Sequence, residues 1–124
     1  MQYLLLLYGN QSNEAKMSEE EMGRVMSAYV AYTDALSASG ALLGSNALMP
    51  TQMATTVRGS KVADGPYAET KEQLGGYYLI DVADLDKALD WAKRCPAASA
   101  GSVEVRPVMV FSEEQIQAAR TMTA

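Results

Sequence analysis

The chain of 124 residues contains no histidine at all, and only one cysteine, one tryptophan and one phenylalanine. Without imidazole there is no Ser-His-Asp triad, no Cys-His pair, no His-ligated metal and no proximal haem ligand. The lone Cys95 excludes an intrachain disulfide and a cysteine-built zinc cage. Long apolar runs are missing too. The opening MQYLLLLYGN holds a short apolar stretch with no basic flank, too short for a signal peptide or a bilayer span. A cytoplasmic chain without membrane association is therefore expected. Positive charge is scarce: 10 Lys and Arg stand against 15 Asp and Glu, net −5. Lys93-Arg94 is the longest basic cluster, so no phosphate-tracking face forms and nucleic-acid binding is not expected. No spacing fits a metal or nucleotide site, so neither metal nor cofactor is expected.

What remains is a globular composition, 48% apolar, large enough to bury a core in one domain over residues 1–124. Residues 2–8 (QYLLLLY) read as a strand that is apolar on both parities. Gly9–Met17 reads as a polar loop. Ser18-Glu-Glu-Glu21 is a capping box that opens a helix over about 19–39. Met22, Val25, Met26, Tyr29, Val30, Thr33 and Leu36 share one face of it, and Gly40 suits its left-handed end. Residues 41–48 read as a weaker strand. Ala54–Arg58 and Lys61–Ala63 form a hairpin around Gly59-Ser60. Gly76–Val82 is a strand rich in aromatic and branched residues. Asp84 caps a second helix striped by Leu85, Ala88, Leu89, Ala92 and Cys95 and closed by Pro96. A loop over Ala97–Ser102 leads to a last strand, Val103–Val110. Ser112-Glu-Glu-Gln115 is another capping box, which makes 112–124 a short helical tail. The eight methionines and Cys95 read as core filler, and Trp91 as the seal at the edge of the second helix.

This order is α+β: a ferredoxin-like split βαβ with an extra hairpin. Two helices cover only one face of such a sheet, yet two of its strands are apolar on both faces. An uncovered apolar face of that size calls for a cover, and a second copy is the simplest. A homodimer with facing sheets is the expectation.

One segment stands out. Between the hairpin and the Gly76–Val82 strand lies a long, polar, sharply punctuated loop. Asp64-Gly65-Pro66 is a turn in which Asp bonds the backbone ahead, Gly relieves sterics and Pro fixes φ. Thr70-Lys-Glu-Gln73 matches a capping box and predicts one helical turn over Lys71–Leu74 before Gly75-Gly76. The string DGPYAETKEQLGGYYLIDV resembles the DGPF-domain proteins, a branch of the YCII-related family. YLLLLYGN and WAKRCPAASAGSVEVRPVM resemble the same branch, with Tyr67 where the branch's name has Phe. The resemblance implies a dimeric α+β barrel, with a cleft between helix, sheet and signature loop for an unknown small molecule. It supplies no activity. The His–Asp pair proposed as acid and base elsewhere in the family has no counterpart here. Genes similar to this one often lie beside extracytoplasmic-function sigma factors, which adds a regulatory reading.

Asp64 and Glu69 are the candidate acid and base, although turn closure and helix-turn capping are the commoner use of such carboxylates. Lys71, Gly65 and Pro66 stand beside them as candidate ligand contacts. Arg106, in an apolar strand, needs Glu104, Asp81 or an acidic ligand as partner. Tyr77 and Tyr78 point to opposite faces, one to the helices and one to a dimer-side cavity, where either a ligand or packing could use them. The functional expectation is a cleft protein. It is either a cofactor-free isomerase, lyase or monooxygenase-like enzyme or a non-catalytic binding or regulatory module.

Overall fold

The computed structural model describes residues 1–123. Strand β1, Gln2–Gly9, is followed by a four-residue helix α1, Gln11–Glu14, within the stretch read as loop. Asn10 caps α1 by accepting from the Asn13 amide at 3.1 Å, so a local Asx cap sets the turn. Helix α2, Glu19–Ser39, opens at Ser18, whose hydroxyl accepts from the Glu21 amide at 3.1 Å, and ends at Gly40 with φ 81. Strand β2, Leu42–Ala47, and a 3-10 turn at Thr51–Met53 lead to the hairpin of β3, Thr55–Arg58, and β4, Lys61–Asp64. Strand β5 covers Gln73–Asp81. Helix α3, Leu85–Arg94, is capped by Asp84, and a one-turn α4, Ala97–Ala100, occupies the expected loop. Strand β6, Ser102–Pro107, and helix α5, Glu113–Thr123, complete the described chain. The capping box of α5 is closed in both directions, Gln115 amide to Ser112 hydroxyl at 3.0 Å and Ser112 amide to the Gln115 side chain at 2.8 Å.

The main sheet runs β2-β5-β1-β6 and is antiparallel throughout, while β3 and β4 form a separate two-stranded sheet. This is the strand order of two interleaved split β-α-β units. On one face Tyr3, Leu5, Leu7, Tyr78 and Ile80 are buried under Tyr32 and Leu36 of α2 and Ala88, Ala92 and Cys95 beside α3. Tyr32 anchors this core with a 2.7 Å hydrogen bond to the Trp91 carbonyl and edge contacts to the Tyr78 and Trp91 rings. Leu4, Leu6, Tyr8, Tyr77 and Leu79 line the other face and are only half-buried. No helix of the described residues is long and apolar enough to cross a membrane.

Four local expectations need correction. Lys71–Leu74 is not a helical turn: β1 continues to Gly9, which pairs with Gln73 and draws β5 back to that residue. The Thr70 hydroxyl donates to the Glu72 carbonyl instead of capping amides. The last strand stops at Pro107, paired with Tyr3, and beyond it only the Val108 amide still bonds β1, at the Gln2 carbonyl 3.0 Å away. The apolar face of α2 is buried only in its second half, since Met22, Val25, Met26 and Val30 are exposed. The methionines are not core filler either: Met1, Met22, Met26, Met49, Met53, Met109 and Met122 are all exposed.

Candidate functional site

A groove of about 420 Å³ runs between α2 and the edge strand β2. Tyr29, Thr33 and Asp34 project into it one helical turn apart, as i, i+4 and i+5 positions dictate. Ser45, Asn46 and Ala47 supply the β2 wall, Met26 and Val30 the apolar wall, and Tyr78 of β5 the floor.

Its polar groups are ordered by a short network. The single Thr33 hydroxyl proton goes to the Tyr29 carbonyl at 2.8 Å. Thr33 Oγ1 also lies 2.8 Å from the Tyr78 hydroxyl. Thr33 has no second proton to give, so Tyr78 is the donor and keeps its oxygen lone pairs as acceptors. Burial, with smaller pushes from Cys95 and Tyr78, raises the Tyr29 phenol from 10.0 to about 12. Burial raises Tyr78 as well, partly offset by the Thr33 hydrogen bond. Both phenols are neutral hydrogen-bonding groups at physiological pH and cannot serve as bases. Among the described residues Asp34 is the only charged one in the lining. Cys95 behind it is buried, and burial pushes its thiol up, which leaves it inert.

The residues singled out in the sequence lie elsewhere, Tyr78 excepted. Asp64 ends β4, paired with Thr55, and is exposed; Glu69, Lys71 and Pro66 are exposed on the following loop. Gly65, at φ 98, donates to the Ala54 carbonyl at 2.7 Å and accepts from the Thr56 hydroxyl at 2.7 Å. The turn is thereby fastened to its own hairpin, and the Arg58 guanidinium lies 5.5 Å over the Tyr67 ring. Glu72 accepts from the Ser102 hydroxyl at 2.7 Å, and the Gln73 side chain accepts from the Gln11 amide at 3.0 Å. The signature loop is thus a set of ties between neighbouring elements. Tyr77 and Tyr78 do point to opposite faces: Tyr78 to the helices, Tyr77 to the open face, where Asn46 donates to its hydroxyl at 2.8 Å.

Arg106 also sits on the open face, beside Leu4, with Nε 3.6 Å from the Glu104 carboxylate. It is exposed and already partnered, so it has no unmet charge that requires an acidic ligand. Asp81 is engaged instead by the N-terminal amine at 2.8 Å. Sequence reading missed Asp34, Ser45 and Asn46. The available signal was Thr33-Asp34, a polar pair interrupting the apolar stripe of α2.

The antiparallel sheet with helices on one face places the chain among α+β sandwiches of the split β-α-β kind. Its sequence is more specific: the YCII-related domain matches residues 1–112, and the chain belongs to that family. An uncharacterized protein of Rhizobium meliloti (strain 1021) is 43% identical over 122 residues, covering 94% of this chain and 98% of the relative. Among solved structures, 5-chloro-2-hydroxyhydroquinone dehydrochlorinase of Burkholderia phenoliruptrix AC1100, in complex with 2,5-dihydroxybenzoquinone, shares the fold. Its TM-score is 0.53 at 13% identity, over 90% of this chain and 96% of that one.

Proposed function

We propose that the α2–β2 groove binds a small, uncharged, hydroxyl-bearing ring compound and that Asp34 exchanges a proton with it. That makes the protein a cofactor-free isomerase or lyase. The observation that carries this reading is the lining itself: hydroxyls, an amide, apolar walls and one carboxylate, with no Lys or Arg. An anion would meet Asp34 with no cation to offset it. A neutral ring with hydroxyl groups finds acceptors at Tyr78 and Asp34 and a donor at Tyr29. The shared fold supports the reading only as precedent, because the dehydrochlorinase holds a hydroxylated ring compound. We place the site in a single cytoplasmic domain of the DGPF branch, with a second copy over the open sheet face as a dimeric α+β barrel.

A second reading keeps Asp64 and Glu69 as acid and base, with Lys71, Gly65, Pro66, Tyr77 and Arg106 around the ligand. What favours it is that Tyr77, Glu104 and Arg106 share the open sheet face, which a second copy would turn into a cleft. Resorcinol separates the two, with benzoate as the anionic control. In D2O, deuterium entering the resorcinol ring reports proton transfer at carbon. The first reading expects exchange that Asp34→Asn lowers about 100-fold or more, with Asp64→Asn and Glu69→Gln unchanged. The reverse pattern supports the second reading. Binding without exchange in the unaltered protein, or co-purification with a sigma factor, supports a non-catalytic regulatory module instead.

A further inference from the structure

Thr33 does two things at once. As threonines inside helices often do, it returns its hydroxyl proton to the carbonyl one turn back, at Tyr29 2.8 Å away. It also meets the Tyr78 hydroxyl, 45 residues on in sequence, at 2.8 Å. The first contact dictates the second. A carbonyl cannot donate, so the Thr33 proton is committed there and the proton between the two hydroxyls belongs to Tyr78.

Tyr78 has little freedom to leave this arrangement. It is only 6% exposed, and the Tyr32 ring packs edge-on against it at 5.2 Å. Its backbone is paired on both sides, with Leu5 of β1 and Ser45 of β2. Ring and strand are held, and only the hydroxyl proton can turn. While that proton points at Thr33, the floor of the groove presents oxygen lone pairs and no donor. The Tyr29 hydroxyl is not tied in this way, because only its backbone carbonyl meets Thr33.

The geometry points to Thr33 as the residue that sets which kind of oxygen the groove accepts: by holding the Tyr78 proton, it admits a ring hydroxyl at the floor and turns away a ring carbonyl. This rests on the reading of the groove as a site for a hydroxylated ring, and it assigns the direction of the deciding hydrogen bond. A ring hydroxyl donates to Tyr78 and leaves the Thr33 bond whole. A ring carbonyl meets lone pair against lone pair unless Tyr78 takes its proton back from Thr33, at the loss of one hydrogen bond. One such bond corresponds to roughly tenfold in affinity. Thr33 sets this polarity through Tyr78, so it is a positioning residue.

The test compares two neutral, planar rings on the full chain: resorcinol, whose hydroxyls donate, and γ-pyrone, whose oxygens only accept. Dissociation constants are read from the amide NMR shifts of Ser45 and Asn46 on the β2 wall, so that binding is followed at the groove. Thr33→Val keeps the shape of the side chain, removes the acceptor and releases the Tyr78 proton. It is expected to tighten γ-pyrone about tenfold and to leave resorcinol within about threefold. A groove that was merely loosened would weaken both rings, so the gain in affinity is the signature. Thr33→Ser keeps the hydroxyl and is expected to match the unaltered protein. In a Tyr78→Phe background, Thr33→Val is expected to have no effect on the preference. If Thr33→Val leaves γ-pyrone unchanged, or weakens both rings alike, the role of Thr33 is overturned while resorcinol binding keeps the groove as the site. If resorcinol moves neither amide in the unaltered protein, the groove reading falls and this inference falls with it.

Discussion

The signature loop and the α2–β2 groove are both rich in polar side chains, but those side chains bond to different things. In the loop, Thr70 and Gln73 bond backbone atoms within a few residues of themselves, and Glu72 and Gln73 tie it to Ser102 and Gln11 of neighbouring elements. In the groove, Thr33 meets Tyr78 across 45 residues of sequence, and on the rim Asn46 meets Tyr77 across 31. Polar groups that satisfy one another in pairs fasten a loop in place. Polar groups brought together from separate elements, beside a carboxylate and an apolar wall, make the groove proposed to take a ligand. The conspicuous sequence motif and the plausible site are therefore different parts of this molecule.

The largest expected effect comes from the packed floor beneath the groove. Leu36 is fully buried where α2 meets the sheet, so Leu36→Ala is expected to cost about 2–5 kcal/mol of unfolding free energy, read by urea denaturation. A loss below 1 kcal/mol would mean that α2 is not held to the sheet as described. In the loop, Gly65 has open space around it, so Gly65→Ala meets only the backbone penalty of φ 98. That is about 1–2 kcal/mol, and a neutral result would remove the strained turn from the account.

Alkaline pH probes the groove through Tyr29, alongside Tyr32 and Cys95 of the core, whose pKa values burial also raises. Tyr29 has its pKa raised from 10.0 to about 12 in the fold, so above pH 10.0 the unfolded chain has lost a proton that the folded chain keeps. The stabilisation is complete below 10.0 and disappears as pH rises through about 12. Thermal melts of the unaltered protein are expected to fall more steeply across that window than those of Tyr29→Phe; parallel curves would contradict the assignment. The smallest effect belongs to the signature carboxylates. Asp64→Asn and Glu69→Gln are expected to change stability by no more than about 0.5 kcal/mol each, since both residues are exposed. Melting temperatures lowered by several degrees would show that the two carboxylates hold the loop.

Much of the fold was legible because its signals are local. Ser18, Asp84 and Ser112 each accept an amide where the pattern places the cap, and Gly59 at φ 63 turns the hairpin. Thr70-Lys-Glu-Gln73 carries the same pattern as Ser112-Glu-Glu-Gln115, yet one is loop and strand and the other helix. The difference is a neighbour: Gln73 pairs with Gly9 in the sheet, and a ladder pairing outweighs one capped turn. The strand order of the sheet followed from the alternation of elements. The groove was not legible, because it exists only once β2 pairs with β5 and α2 crosses beside it. Nothing local marks Asp34, Ser45 and Asn46 as neighbours. Arg106 was misjudged for a related reason. An arginine within an apolar strand reads as buried, but β6 is an edge strand and its outer face is open.

The central claim is that ligand chemistry belongs to the groove and not to the signature loop. The most direct measurement is a resorcinol titration of the full-length protein followed by backbone amide NMR shifts. The account predicts saturable shifts centred on Thr33, Asp34, Ser45 and Asn46, absent with benzoate. Shifts centred on Gly65 to Lys71, or a response to benzoate alone, would contradict it.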